Sequence, residues 1–189
     1  MDGCFRDGSR RVVGGGRRSR VAAGRRARVE LVWGALVMSP SPGIARQRAS
    51  HRLARPAWGC GGTAWAPLEV LEAVNVVVLD GLLIPDIAVI DAAMSAEAGL
   101  TVHADDVFIV VEIASPSTGV SDRKMKPLIY AAAGIPHYSR LDLEPAPRLS
   151  LGHLQTYGTH WGQVVQAGET TCLPDPFPFD IDPACLVGR

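Results

Sequence analysis

Residues 107–113 read Val107-Phe108-Ile109-Val110-Val111-Glu112-Ile113, an almost unbroken run of apolar, mostly β-branched side chains. A strand with one face in water alternates apolar and polar positions, so a run without alternation predicts a central strand covered on both faces. The chain must therefore supply a layer on each side. Glu112 stands inside this run, and a carboxylate there loses its hydration unless a cation or hydrogen-bond donors compensate it.

A second acid interrupts another apolar stretch, at Ile84-Pro85-Asp86-Ile87. It belongs to residues 74–90, in which two β-rich runs flank Asp80-Gly81, a strong hairpin signal. Pro85 predicts an edge position or a bulge that aims Asp86 outward. Residues 91–104 read as a polar, alanine-rich connection. After Glu112 the chain leaves the sheet through Ser115-Pro116-Ser117-Thr118-Gly119. A helix then runs from Asp122, or a few residues later, to Ala133, with Gly134 after its end and Pro136 just beyond.

Upstream, Arg28-Val29-Glu30-Leu31-Val32-Trp33 alternates, turns at Gly34 and resumes as Ala35-Leu36-Val37-Met38, which predicts an N-terminal hairpin. Residues 44–54 have the composition of an exposed helix carrying Arg46, Arg48, His51 and Arg52, and residues 58–62 read as a loop. Downstream, residues 138–143 form a strand, 149–157 and 161–166 a hairpin, and the proline-rich 174–178 with the following Asp-Pro steps closes the domain.

Of 189 residues, 47% are hydrophobic, enough for one cored domain. The net charge of zero conceals an asymmetry. Residues 1–28 carry nine arginines against Asp2 and Asp7, leaving +7, and the remainder, with 10 basic and 17 acidic residues, carries −7. Residues 1–27, rich in Gly and Arg, are expected to be a disordered basic tail, either an electrostatic arm for nucleic acid or an unselected extension. The ordered domain is expected over 28–189. Cys4, Cys60, Cys172 and Cys185 are scattered, without zinc or disulfide spacing, which suits a reducing cytoplasm. No apolar run is long enough for a membrane span, and the arginine-rich start lacks the apolar core of a secretory signal. A cytoplasmic protein with no membrane association is expected.

His51, His103, His137, His153 and His160 fall in no ligand or triad spacing, and Gly14-Gly15-Gly16 lacks the lysine of a phosphate loop. The chemistry then rests on Asp86, Glu112 and Lys126. Two carboxylates can hold Mg²⁺, which keeps several waters and needs few protein oxygens; Asp86, Glu112 and the backbone carbonyl of Ile113 suffice. Such a cation neutralises a transferring phosphate and makes a water nucleophilic, while a neighbouring lysine orients that water or stabilises developing charge. The same residues admit a plainer reading, in which Asp86 shapes a turn and Glu112 pairs with Lys126 without any metal.

In order along the chain stand Arg-Val-Glu-Leu at 28–31 with Gly34, Ser-Pro-x-Pro at 39–42, Ile-Pro-Asp at 84–86 and Val-Val-Glu-Ile-x-Ser-Pro-Ser-Thr at 110–118. Asp122, Lys126, Tyr130, Gly-Ile-Pro-x-Tyr at 134–138, Asp142 and Pro-Phe-Pro at 176–178 follow. This combination resembles the Uma-two family of restriction-endonuclease-like proteins, within the PD-(D/E)XK nuclease superfamily, over about residues 28–185. The resemblance implies a mixed α+β, restriction-endonuclease-like core, a central mixed sheet flanked by helices. It also implies cleavage of DNA with Mg²⁺, or Mn²⁺ as a substitute.

Residue by residue, it assigns Asp86 and Glu112 as metal ligands, Lys126 as the catalytic cation, Glu30 near the metal or its water, and Asp122 and Tyr130 as supporting residues. Ala114 stands where the superfamily has its lysine, so the family's charge comes from the next helix. Lys124 competes with Lys126 if that helix starts at Pro127. Arg46 stands where the family often has a histidine, and Ser139-Arg140 replace its usual Trp-x pair after Tyr138. These departures leave open a nuclease-fold protein that binds nucleic acid or a partner without cutting. Cutting both strands with one site per chain would suggest a homodimer.

Overall fold

The computed structural model describes residues 27–59, 68–97, 99–114, 121–155, 158–173 and 178–187. All of the expected 1–27 tail except Ala27, the Ser-Pro-Ser-Thr turn, the end of the 58–62 loop and residues 174–177 lie outside the described residues. The fold is mixed α+β.

The N-terminal hairpin is present: β1 (Arg28–Val32) pairs antiparallel with β2 (Ala35–Ser39), Arg28 opposite Ser39 and Val32 opposite Ala35. Trp33 and Gly34 turn with φ of 48° and 76°, the two positive values that match the twist of a two-residue hairpin. Helix α1 (Ile44–Gly59) is longer than expected and is not exposed all round. Ala49, Ser50, Leu53 and Ala54 recur at helical spacing and are buried against the sheet.

Next come β3 (Leu68–Glu72), β4 (Asn75–Val78), β5 (Gly81–Leu83) and β6 (Ile87–Asp91). The expected hairpin exists as β4–β5, but its loop is Leu79-Asp80, and Gly81 already pairs with Val78. A Cβ on Gly81 would fall 2.1 Å from the carbonyl oxygen of Leu31, so the glycine serves the close approach of β5 to β1.

Pro85 does not bulge a continuous strand, as the sequence suggested. Lacking an N–H to donate to a ladder, it sits where β5 ends and the chain crosses to another sheet as β6. Asp86 is consequently buried rather than aimed outward. The 91–104 connection also has structure: α2 (Ala92–Glu97) and then β7 (Thr101–His103), which pairs parallel to β4.

After a 3₁₀ turn, β8 (Val107–Ala114) runs as an inner strand, followed by a π turn at Ser121–Met125, α3 (Lys126–Ala132) and β9 (His137–Asp142). The hairpin β10 (Arg148–Gln155) and β11 (Gly158–Gln166), the short pair β12 (Thr171–Leu173) and β13 (Phe179–Ile181), and α4 (Ala184–Val187) complete the described chain. A five-stranded sheet has the order β2-β1-β5-β4-β7, and a six-stranded sheet the order β11-β10-β9-β8-β6-β3. β8 and β9 are parallel; β8 and β6 are antiparallel.

The two faces of β8 meet different cores. Ile109, Val111 and Ile113 pack with Ala49, Leu53 and Leu141 under α1, whereas Val107 and Val110 pack with Val32, Leu83, Ile129 and Tyr130. Glu112, two residues after Val110, projects to this second side, toward α3 and β1. A bulge opposite Val89 and Ile90 leaves Phe108 as the extra residue, exposed, which puts Val107 on the same side as Val110. Strand β8 is therefore covered on both sides as its composition requires. Among the described residues no helix is long and apolar enough to cross a membrane.

Candidate functional site

Six elements bring charged side chains to one end of β8. Glu30 comes from the middle of β1, Arg46 from the first turns of α1, Asp86 from the crossing between sheets, Glu112 from β8, Asp122 from the π turn, and Lys126 and Tyr130 from one face of α3. Glu30, Asp86, Glu112, Asp122, Lys126 and Tyr130 are all buried.

Lys126 is the hub of the cluster. Its Nζ donates to Glu112 Oε1 at 2.9 Å and to Glu30 Oε1 at 2.9 Å, and lies 3.8 Å from Asp122 Oδ1. Tyr130, one helical turn on, donates its hydroxyl to the same Glu112 Oε1 at 2.9 Å. Glu30 Oε1 also accepts the backbone N–H of Ile84 at 2.9 Å, so β1 is tied to the segment that presents Asp86.

Helix α3 begins at Lys126 with Pro127 in its first turn, where the proline's missing N–H has no helical acceptor to lose. The π turn before it removes the interior-proline cost of a helix starting at Asp122. Its far end closes as expected, with Gly134 at φ 85°, its N–H on the Ala131 carbonyl, and the Ile135 N–H on the Tyr130 carbonyl. Lys124 is exposed in the π turn and away from this cluster.

Asp86 is held by two arginines and an amide. Arg46 Nε lies 3.1 and 3.0 Å from Oδ1 and Oδ2, and Arg46 Nη2 is 2.6 Å from Oδ2. Arg28 Nη1 donates to Oδ1 at 3.2 Å and to the Ile84 carbonyl at 3.0 Å. The Ile113 N–H donates to Oδ2 at 2.7 Å, linking the aspartate to the residue after Glu112. The two acids thus flank the end of β8, one bonded to its backbone and the other a side chain of it.

Burial dominates the electrostatics. It pushes the Glu112 carboxyl up to about 7, with Asp86 and Asp122 adding to the rise and Lys126 opposing it. Burial also works against the charge on Lys126, but Glu112, Glu30 and Asp122 together outweigh it and raise this ammonium above its ordinary value. Burial and the Glu112 charge raise the Tyr130 phenol well above its usual range. Both donors to Glu112 therefore keep their protons at neutral pH.

The fit of a divalent cation turns on Glu112. Its Oε1 carries both hydrogen bonds, while Oε2 is buried and has no hydrogen-bond partner among the described residues, lying 3.8 Å from Arg46 Nη2. A buried carboxylate oxygen so placed is a donor suited to a hard cation. Among the described residues no group of three His, Cys, Asp or Glu side chains is arranged around a common point. A cation here would have two carboxylates, with backbone oxygen or water completing its shell, which suits Mg²⁺.

The sequence motifs singled out the acids and Lys126; the roles of Arg28 and Arg46 as partners of Asp86 were not anticipated. Composition puts Arg46 on the polar side of an exposed helix, and the available signal was its place in the first turn of α1, where the family often has a histidine. Along the same parallel ladder Arg140 is opposite Glu112 and Asp142 opposite Ala114. Asp142 there gathers Arg123, Arg140 and Arg148 at 2.9, 3.1 and 3.2 Å.

Residues 19–184 match the Uma2 family, whose description is "Putative restriction endonuclease". Among solved structures, the chain is similar to a crystal structure described as a "putative nuclease" from Anabaena variabilis, with a TM-score of 0.66 and 14% identity over 84% of this chain and 89% of that one. At this identity the likeness establishes the restriction-endonuclease-like fold and nothing finer. No curated protein matches the sequence.

Proposed function

The chain belongs to the Uma2 family, and from that premise we propose that it is an endonuclease hydrolysing DNA phosphodiester bonds with Mg²⁺, or Mn²⁺ in its place, at Asp86 and Glu112. The observation that carries this reading is Glu112 Oε2, buried and without a hydrogen-bond partner among the described residues, beside a second carboxylate. Asp86, Glu112 and the carbonyl of Ile113 would hold the cation. When bound, it would supply charge neutralisation at the phosphate and a water acidified toward neutral pH.

The chain's own groups divide the remaining work. Lys126 keeps its proton, so it serves as a donor that orients water or stabilises charge developing on the phosphate, not as a base. Glu30 and Tyr130 are positioning residues: Glu30 anchors the ammonium, and Tyr130 fixes Glu112 Oε1 so that Oε2 is the oxygen left to bind. Asp122, 3.8 Å from Lys126, adds negative potential that favours the ammonium. One such site per chain makes a homodimer the simplest way to cut both strands of a duplex.

The test is incubation of purified protein with supercoiled and linear DNA and Mg²⁺ or Mn²⁺. Cleavage is expected, abolished by chelation and reduced about a hundredfold or more by Asp86→Ala or Glu112→Ala. Intact DNA under all conditions, or variants that cut like the parent, would overturn the assignment.

A second reading is favoured by a specific observation: both oxygens of Asp86 already accept bonds from arginines. On that reading the fold binds nucleic acid, or a protein partner, without cutting. Salt-sensitive DNA binding that survives loss of both carboxylates, with no cleavage, would select it.

A further inference from the structure

Arg46 stands where the two candidate ligands meet. Its Nη2 is 2.6 Å from Asp86 Oδ2 and 3.8 Å from Glu112 Oε2. The other side-chain donors fall elsewhere: Arg28 on Asp86 Oδ1, and Lys126 and Tyr130 on Glu112 Oε1. The pair Oδ2 and Oε2, which a shared divalent cation would need, is the pair that Arg46 Nη2 addresses. Its side chain is 13% exposed, against 3% for Asp86 and 0% for Glu112, so it is the member of the trio with access to solvent.

Arg46 Nε and Nη2 and the Ile113 N–H already occupy Asp86 Oδ2 at 3.0, 2.6 and 2.7 Å, so a divalent ion, itself positive, gains a lone pair on that oxygen only as the guanidinium gives way. We propose that Arg46 is an exchangeable internal counter-ion, which neutralises Asp86 and Glu112 in the metal-free protein and must swing off them before a divalent cation binds. This rests on the metal-site reading of Asp86 and Glu112.

The arrangement explains how two acids stay buried side by side: α1 lends them a charge. It also separates Arg46 from a permanent structural ion pair. A structural arginine, once removed, would leave the site disordered and its metal affinity unchanged or weaker. A competitor, once removed, leaves the affinity stronger, because the fraction of molecules with an open seat rises.

Isothermal calorimetry with Mn²⁺ alone decides between them, on the full chain, on Arg46→Met and Arg46→Gln, and on each of these combined with Glu112→Gln. Both single variants are expected to bind Mn²⁺ about tenfold or more tightly than the parent, the gain vanishing with Glu112→Gln. Equal or weaker binding by the variants, with the parent binding, overturns the inference and leaves the metal-site reading intact. Absence of binding in parent and variants alike overturns both. Should the variants fail to fold, the parent is still informative through its arginine Nε–Hε resonances. Saturating Mg²⁺ is expected to shift the Arg46 signal, and an unmoved Arg46 signal sinks the proposal.

Discussion

Lys126 Nζ lies 2.9 Å from Glu112 Oε1 inside the protein, with the ammonium side chain 6% exposed and the carboxylate fully buried. The two residues come from different elements and are joined by a turn that lets a proline-led helix start at Lys126 itself.

Lys126→Met is expected to destabilise the protein by about 3–5 kcal/mol, because it strands buried Glu112 and Glu30 without their shared cation. Adding Glu112→Leu should recover much of that loss, since an apolar replacement removes the uncompensated charge. Urea unfolding of the single and double variants checks this. A single variant as stable as the parent would show that the ammonium balances nothing.

The Glu112 carboxyl, pushed up to about 7 from an ordinary 4.5, binds a proton more readily in the folded chain than in the unfolded one. Its contribution therefore makes stability fall as pH rises from about 4.5 to about 7, by at most about 1.4 kcal/mol per pH unit. Asp142 has the opposite sign at lower pH. Its burial is outweighed by Arg123, Arg140 and Arg148, which hold it below 3.8, so its stabilisation is lost as pH falls through that lowered value. Unfolding midpoints of the parent and Glu112→Gln between pH 4.5 and 7.5 should diverge as pH rises, with the variant gaining. Parallel curves would contradict the raised value.

Lys124 and Lys126 are two residues apart and should behave differently. In the DNA-cleavage assay Lys126→Gln is expected to lose on the order of a hundredfold, whereas exposed Lys124→Ala should keep its rate and change stability by no more than about 0.5 kcal/mol. The reverse ranking would move the catalytic cation to the π turn.

Gly81→Ala and Gly34→Ala probe two different uses of glycine. At Gly81 the new Cβ would meet the Leu31 carbonyl at 2.1 Å, which must push β1 and β5 apart and loosen Glu30. At Gly34 nothing lies within 4 Å and only the positive φ of 76° is strained, for about 1–2 kcal/mol. Thermal unfolding should show the Gly81 variant losing clearly more than the Gly34 variant.

By itself, the sequence determined the elements whose signals are local. The β-branched run made β8 an inner strand, alternation with a Trp-Gly turn made β1 and β2 a hairpin, and Gly134 with Pro136 ended α3. It also singled out the two acids, because charge inside an apolar run stands out without any knowledge of its neighbours, whereas Lys126, in the polar stretch 121–126, was given its role by the family resemblance. Only the tertiary structure decided that Asp86 faces inward, that Pro85 marks a crossing between sheets, and that α1 turns an arginine onto the acids. Those outcomes depend on partners 40 residues apart for Arg46 and Asp86 and 96 apart for Lys126 and Glu30. Periodicity reports which face of an element is buried, but a buried charge takes its partner from whichever element is packed against that face, and that is a property of the assembled layers.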